Sequence, residues 1–352
     1  MALKKRISKW LTVFKHVPFE WWFLYLLVII LSITLNILIY LARTKNYRCF
    51  CINCPKKQHI TNFTLDDMTY VSVPRCIKNQ DTYIKYKLAI SSWLSSSPSA
   101  RVILFINKTE FHSDLPSELD ALFGPDRVLY ANYLRSDSQN VPYLDQWFEQ
   151  GINLCQTKYI TFINTDILLS SSWFPMIKKI FNLFETKFPN KKPFIIGERI
   201  DFDFQMENMK YIRFSQKSFL KDIDQMVKKS PNSLHSMYGM DTFTFMADDP
   251  PFPVTKFPPY LIGRYNWDNW FIGWLNTIAD TITLLYDPPV YHINHNRHDF
   301  NINVSRVAVN HFLKKANNNY FGSNGDVKWQ IQNGYLKRRH SKEKYFLGDE
   351  DD

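Results

Sequence analysis

The sequence has few cysteines, and their number and spacing limit the sites they could form. Five cysteines occur in 352 residues, and because five is odd, at least one thiol is free or pairs between chains. Cys49, Cys51 and Cys54 have the spacing C-x-C-x-x-C, but no further His or Cys at ligand spacing completes a zinc site. We expect disulfides in this segment, and S-palmitoylation is the alternative if it is cytosolic. Cys76 and Cys155 lie further along the chain.

The sequence also lacks a motif typical of nucleic-acid binding, although it is basic. Its formal net charge of +10 favours acidic partners, such as nucleic acid, anionic lipid or phosphorylated and sulfated small molecules. The most basic stretch, 337–344 (KRRHSKEK), has no such motif beside it and precedes the acidic end GDEDD. A solvated charged terminus accounts for this stretch, so we expect no nucleic-acid partner.

The composition excludes an intrinsically disordered chain. Disordered chains have low hydrophobicity and few aromatic side chains, whereas here 45% of the residues are hydrophobic and 16% are aromatic. A chain of this length and composition can bury a sizeable core in one large domain or two small ones.

The apolar run 21–42 (WWFLYLLVIILSITLNILIYLA) predicts a membrane anchor. It contains no charged residue, and as a helix it would measure about 33 Å, which is enough to cross a bilayer. Trp21, Trp22 and Tyr40 lie near its ends, where aromatic side chains favour the headgroup layer. A cleaved signal peptide is the alternative, but its apolar region usually measures only about 7–15 residues. We therefore expect one retained transmembrane helix.

The orientation of this helix is predicted from glycosylation sequons, because basic residues flank the run on both sides. N-x-[ST] sequons at Asn62, Asn107 and Asn303 favour a luminal domain. We expect a single-pass type II protein of the Golgi or endoplasmic reticulum membrane; no retrieval tetrapeptide ends the sequence. The expected layout is a cytosolic tail (1–20), a transmembrane helix (21–42), a stem (43–67), a luminal domain (68–320) and a C-terminal extension (321–352).

Strand-like and helix-like segments alternate after the expected stem. The predicted strands are 68–73, 101–107, 127–134 and 157–163, and the predicted helices between them are 81–94, 117–123 and 142–156. This alternation predicts a parallel sheet with helices on both faces. In such sheets, ligands bind at the carboxyl ends of the strands.

The polar triplet Asn164-Thr165-Asp166 follows the last of these strands and lies at such an end. A carboxylate that faces solvent there could coordinate a hard divalent cation, which in turn bridges phosphate oxygens. The alternative is an Asx turn, in which Asn164 or Asp166 bonds to its own backbone where the strand ends.

Four segments occur in an order that resembles one enzyme family. They are SSWLSSSPSARVILF (91–105), NTDI (164–167), GRYNWDNW (263–270) and HNRHDF (295–300). From about residue 68 to residue 319, the sequence is similar to nucleotide-sugar-dependent glycosyltransferases of the GT-A fold. The group it resembles is largely uncharacterised and shares N-x-D-I, G-R...WDNW and H-x-x-H-[DN]-[YF] motifs. The resemblance implies an α/β domain with a Rossmann-like, mainly parallel sheet flanked by helices.

The resemblance also implies a divalent-metal site. Asn164 and Asp166 take the positions of the family's metal-binding motif, which is commonly Asp-x-Asp. An amide in the first position supplies less charge, so the cation should bind more weakly. His295 and His298 match the family's late histidines and would add nitrogen ligands, which favours Mn over Mg. A surface loop, or orientation of Asp299, is the alternative use of these histidines.

A donor-binding set follows from the same resemblance. Gly197 and Arg199 match a G-x-R motif that borders the donor diphosphate, where a planar guanidinium suits phosphate oxygens. An ion pair of Arg199 with Asp201 or Glu198 is the alternative. The residues implied for donor binding are Asn107, Gly197, Arg199, Gly263 and Arg264.

Asp268 and Asp241 are the implied catalytic carboxylates. Either would accept the proton of the acceptor hydroxyl as it attacks the sugar, although a carboxylate at a helix start also stabilises the helix without any catalytic role. Base catalysis would imply inversion, whereas a retaining enzyme needs no such base. Trp267, Trp270 and Trp274 follow at helical spacing and are expected in the core rather than as a sugar-stacking platform.

The functional expectation is a metal-assisted glycosyltransferase that moves a sugar from a nucleotide-sugar donor to a glycan, glycoprotein or glycolipid acceptor. The neutral Asn164 motivates an alternative. In that alternative, the protein is a catalytically inactive, membrane-anchored relative that binds nucleotide or glycan or scaffolds other enzymes.

Overall fold

The structure, a computed structural model, describes most of the chain after residue 65. The described residues are 30–32, 34, 66–75, 77, 79–106, 114–131, 134–138, 140–214, 217–263, 265–284, 289–294 and 304–347. The chain divides into two units, 1–59 and 60–352. No helix among the described residues is long and apolar enough to span a membrane. The predicted anchor 21–42 lies outside them except for 30–32 and 34, which are helical.

The second unit alternates strands and helices along its first half, as the apolar pattern predicts. The strands are β1 (Met68–Ser72), β2 (Arg101–Phe105), β3 (Val128–Ala131), β4 (Tyr159–Ile163), β5 (Ile167–Leu169), β6 (Pro193–Phe202), β7 (Asn232–Leu234), β8 (Met240–Met246), β9 (Asp280–Leu284), β10 (Val290–Ile293), β11 (Trp329–Gln332), β12 (Tyr335–Arg338) and β13 (Lys344–Phe346). The helices are α1 (Gln80–Ser95), α2 (Leu115–Phe123), α3 (Leu144–Leu154), α4 (Trp173–Lys187), α5 (Phe219–Lys229), α6 (Trp267–Ile278) and α7 (Val304–Ala316). Short 3-10 turns occupy Met206–Tyr211 and Val254–Lys256.

These elements form an α/β fold with a mixed, Rossmann-like sheet. Its main path has the order β13-β12-β11-β9-β6-β8-β4-β1-β2-β3. The strands β3, β2, β1 and β4 are parallel, in the order of one half of a doubly wound sheet. Beyond β4, strands β6, β9 and β11 are parallel to one another, as expected, whereas β8 runs antiparallel to both of its neighbours, β4 and β6.

A small second layer of strands covers the end of β6. There β10 pairs with β6 in parallel and with β5 in antiparallel orientation, while β7 pairs with the other edge of β6. The strand β6 has ten residues and bulges between Ile196 and Glu198. Its second half can therefore leave the main sheet and join this layer, since a bulge bends and twists a strand.

Two local interactions fix helix α1 on the sheet. Asn79 caps the helix by accepting a hydrogen bond from the Thr82 amide at 2.8 Å. Near the other end, the buried indole of Trp93 donates to the Ile167 carbonyl at 2.8 Å. The tryptophan of the SSWL segment thus holds the chain directly after Asp166.

Aromatic side chains fill the core on the α3 and α6 side of the sheet. The ring of Phe148 lies 4.5 Å from that of Phe162 and 5.1 Å from that of Phe271. Trp267 and Trp270 of α6 are buried in this cluster, which confirms the prediction that they are core residues, and the partly buried Trp274 packs against it.

The segment expected to be a C-terminal extension contributes to the same sheet. Strand β11 pairs in parallel with β9, and β12 and β13 continue the sheet in antiparallel orientation. Trp329 of β11 is fully buried and its ring lies 5.9 Å from that of Phe184. Residues 329–346 are therefore part of the structure of the second unit rather than an appendage to it.

Helix α6 packs directly against the backbone at Phe321, and Gly273 permits this contact. A Cβ at residue 273 would lie 2.4 Å from the Phe321 nitrogen and 2.6 Å from its carbonyl carbon. We expect Gly273→Ala to lower the free energy of unfolding by about 1–3 kcal/mol, because backbone cannot move aside as a flexible side chain can. Urea denaturation measures this change. Thr277→Ala, at an exposed position of the same helix, is the control, and equal stability of the two variants would contradict the prediction.

Candidate functional site

The carboxyl end of β4 lies at the point where the strand order reverses. Strands β2 and β3 continue from β1 on one side, and β4 lies on the other. Doubly wound sheets bind ligands at this place. The Thr165 side chain is buried there, and its hydroxyl lies 3.0 Å from that of Ser72 at the end of β1. Asn164 and Asp166 are both partly exposed beside it.

The reversed strand β8 brings Asp241 to Asn164. Ile163 pairs with Thr242 in the antiparallel register, so the next pair of residues is Asn164 and Asp241. The Asn164 side-chain amide donates to Asp241 Oδ1 at 2.6 Å, and its backbone amide donates to the Asp241 carbonyl at 3.2 Å. The turn after β4 is closed by the backbone, since the Ile167 amide donates to the Asn164 carbonyl. The Asn164 side chain thus joins two strands instead of capping its own turn.

Arg199 of β6 holds the other oxygen of Asp241. Its Nη1 donates to Asp241 Oδ2 at 2.6 Å, and its Nε lies 3.0 Å from Asp201 Oδ1. Burial would lower the pKa of this guanidinium, but the charges of Asp241 and Asp201 outweigh burial and raise it. In the sequence analysis, an ion pair with Asp201 was the alternative role of Arg199. This ion pair is formed, and it is partly buried rather than on the surface.

Asp201 links Arg199 to two histidines. Its Oδ2 lies 2.6 Å from His235 Nδ1, and its Oδ1 lies 3.0 Å from His292 Nδ1. Burial would raise the pKa of Asp201, but the hydrogen bonds with His235 and His292 outweigh it and hold that pKa below its usual range. Asp201 is therefore a carboxylate at neutral pH, with donors from β6, from β10 and from His235, which follows β7.

His292 is a site residue that the sequence analysis missed. The parallel register places it opposite Asp201 of β6, and the antiparallel register places it opposite Ile167 of β5. Its Nε2 consequently lies 3.5 Å from Asp166 Oδ2. Burial would lower the pKa of this imidazole, but contacts with Asp166 and Asp201 raise it to about 9. In the sequence, the signal that could have indicated this site residue was one histidine within the otherwise apolar segment VYHI.

Asp268 lies within the first turn of α6, whereas Asn266 is the N-cap residue. Its Oδ1 accepts the backbone N–H of Asn269 at 2.9 Å. Burial raises the pKa of Asp268 to about 6, and the negative charge of Asp241 acts in the same direction. A carboxyl group with this pKa exchanges protons near neutral pH, as a general base must.

Gly197 has a structural reason to be glycine. Its amide donates to Thr242 Oγ1 at 2.8 Å, and a Cβ at this position would lie 2.5 Å from the same oxygen.

Gly263 is exposed in a turn with φ of 64°, the left-handed region that suits glycine. The other predicted site residues lie outside the described residues and stay predictions: Asn107, Arg264, His295 and His298.

The described residues contain no group of three or more His, Cys, Asp and Glu side chains arranged to hold a metal ion. Asp166 and His292, 3.5 Å apart, lie beside the strand end that carries Asn164. A carboxylate and an amide oxygen are donors that divalent cations accept in proteins, and an imidazole becomes one once it loses its proton. The residues present thus fit such an ion in chemistry, while its binding stays a prediction.

No protein-family model and no curated protein matches the sequence. Solved structures that align with this chain include TarS of S. aureus, at 8% identity and a TM-score of 0.37, over 64% of this chain and 60% of the TarS chain. The galactosyltransferase LgtC in complex with donor and acceptor sugar analogues aligns at 9% identity and a TM-score of 0.34, over 72% and 95% of the two chains. A cytidylyltransferase from Leptospira borgpetersenii aligns at 11% identity and a TM-score of 0.28, over 52% and 61%. The chain spans less than two thirds of TarS, and similarities this low transfer neither activity nor substrate.

We expect Arg199→Met to destabilise the protein, because it leaves Asp241 and Asp201 without their shared cation. The side chains of Arg199 and Asp241 are only 15% and 9% exposed. Removal of one partner from a buried pair costs about 3 kcal/mol, so urea denaturation should show a loss of this size. The double variant Arg199→Met/Asp241→Asn should recover part of it.

The exposed ion pair of Lys192 and Asp249 provides the control. Lys192→Met should change the free energy of unfolding by less than about 1 kcal/mol, since solvent screens such pairs. An Arg199→Met protein as stable as Lys192→Met would show that the network does not stabilise the fold.

Proposed function

We propose that this protein is a nucleotide-sugar-dependent glycosyltransferase of the GT-A type, anchored in a Golgi or endoplasmic reticulum membrane with its second unit in the lumen. The observation that supports the activity most is that Asp241 bonds to Asn164, beside Asp166, while its charge also acts on Asp268. Asp166 lies there partly exposed at the end of β4. Asp268 has a pKa of about 6, raised by burial and by the charge of the neighbouring Asp241.

Of the two carboxylates implied as catalytic, Asp268 is assigned as the base. Both side-chain oxygens of Asp241 already accept hydrogen bonds, one from Asn164 and one from Arg199. The acceptor oxygen attacks the anomeric carbon of the donor, its proton moves to the Asp268 carboxylate, and the bond from that carbon to the diphosphate breaks. A single displacement of this kind inverts the anomeric configuration.

The strand-end residues Asn164 and Asp166 would hold a divalent cation, together with a nitrogen ligand from the late segment that carries His295 and His298. When bound, such a cation neutralises charge that develops on the leaving diphosphate. The nitrogen ligand motivates the preference for Mn over Mg. Arg199 has a positioning role in this proposal, because its guanidinium contacts Asp241 and Asp201 within the chain.

Incubation of the full chain with a panel of nucleotide sugars, with and without EDTA, tests the activity. We expect release of a nucleoside diphosphate that depends on one donor and decreases with EDTA. Thermal stabilisation by a nucleoside diphosphate without any turnover would support the inactive alternative. The absence of any nucleotide binding would refute the glycosyltransferase.

Asp166 supplies the only full negative charge in the cation site that we propose. Asp166→Asn should therefore abolish turnover while the thermal unfolding midpoint stays close to that of the wild type, because the side chain is partly exposed. Asn164→Asp should lower the metal concentration for half-maximal activity, since a second carboxylate adds charge–charge attraction. Metal titrations of initial rate measure both effects. Near-full, EDTA-insensitive activity in Asp166→Asn would show that the cation assignment is wrong.

The pKa of Asp268 predicts how kcat/KM falls at low pH. The base acts only as a carboxylate, so kcat/KM should be constant above pH of about 6 and fall below it as Asp268 takes up a proton. Asp268→Asn should reduce kcat by about 10²–10⁴-fold and remove this acid limb. Initial rates measured from about pH 4.5 to about pH 8, in steps of about half a pH unit, test the assignment. An unchanged fall of the rate at low pH in Asp268→Asn would exclude Asp268 as the base.

A further inference from the structure

Two aromatic rings lie side by side on the surface near the candidate site. Tyr238 and Phe321 are 51% and 53% exposed, and their ring centroids are 6.1 Å apart at an interplanar angle of 53°. Met237, also about half exposed, precedes the tyrosine. We call Tyr238 and Phe321 the aromatic platform. Exposed apolar groups in contact with one another often mark a binding surface.

The Phe321 side of the platform is attached to the helix that carries Asp268. The Gly322 amide donates to the Asn269 carbonyl at 2.8 Å, and the Asn269 side chain donates back to the Gly322 carbonyl at 2.9 Å. The close approach at Gly273 described above holds the same segment on α6. Phe321 is thus fixed beside the first turn of this helix.

The Tyr238 side of the platform is attached to the Arg199 network. The next residue, Gly239, approaches that network so closely that a Cβ there would lie 2.3 Å from His235 Cδ2 and 3.2 Å from Arg199 Nε. Asn324 joins the two sides, because its backbone amide donates to the Met237 carbonyl and its side chain donates to the Gly239 carbonyl, both at 3.0 Å. The platform therefore continues the candidate site on the surface.

We infer that Tyr238 and Phe321 form the stacking subsite for a pyranose ring of the acceptor glycan, an inference that rests on the proposed glycosyltransferase function. The C–H groups on one face of a pyranose carry partial positive charge, and the face of an aromatic ring is negative. The hydroxyl groups at the edge of the sugar stay in water. Lys314 Nζ lies over the Phe321 ring, 4.5 Å from its centroid, so the sugar stacks on the exposed part of this ring together with Tyr238.

The size and surroundings of the platform favour a sugar over a protein partner. Stable protein interfaces bury about 800 Å² on each partner, far more than two rings and one methionine present. The tryptophans of the GRYNWDNW segment cannot stack on a ligand, because Trp267 and Trp270 are buried in the core. The platform thus supplies the stacking surface that these tryptophans do not.

Binding of simple glycosides to the full chain tests the platform without any requirement for catalysis. Methyl β-galactopyranoside, methyl α-glucopyranoside and methyl α-mannopyranoside are the probes, and saturation-transfer NMR measures their dissociation constants. We expect the wild-type protein to bind at least one of them. Tyr238→Ala and Phe321→Ala should weaken that binding about tenfold, as loss of a central aromatic contact does, and Tyr238→Phe should retain it.

Phe346→Ala is the matched control. Phe346 is 52% exposed and its ring lies 5.0 Å from that of Tyr335 at the edge of the sheet, so it resembles the platform except in position. Failure of all three glycosides to bind the wild type, or equal binding by the platform variants and the control, would overturn the platform. Nucleotide binding is measured separately on the wild type: glycoside binding that needs the platform, without nucleotide binding, would refute the glycosyltransferase and leave a sugar-binding site.

Discussion

The carboxylate of Asp241 is the interaction on which the candidate site depends. One of its oxygens accepts a hydrogen bond from Asn164 at the end of β4, and the other accepts one from Arg199 of β6. A buried carboxylate is costly without such partners, so each of the three side chains requires the others. Burial raises the pKa of Asp268 and the same negative charge acts in the same direction, which couples the strand end to helix α6.

The reversed direction of β8 makes this interaction possible. Strand β8 lies between β4 and β6 and runs antiparallel to both, so its first residues meet the carboxyl end of β4. A parallel strand in the same place would have brought its last residues there. Gly197 permits the close approach of β6 to β8, since any side chain would clash with Thr242. Backbone geometry therefore decides which polar side chains meet.

The aromatic residues of this protein serve two different purposes. Those of α3 and α6 pack into a rigid cluster that supports the first turn of α6, where Asp268 lies. Tyr238 and Phe321 leave their rings in solvent, although backbone hydrogen bonds hold their segments firmly. The charged network approaches the segment of Tyr238 at Gly239, so polar side chains and exposed rings occur in one region of the second unit.

The sequence by itself determined the elements of the first half of the unit, because apolar periodicity is a property of the local chain. It also located Asn164 and Asp166 at a strand end, Asp268 at a helix start and the α6 tryptophans in the core. The apolar pattern did not predict the direction of β8, the parallel pairing of β11 with β9, or the meeting of His292, Asp201 and His235. Those features depend on pairing registers between strands far apart in sequence, and only tertiary packing selects such registers.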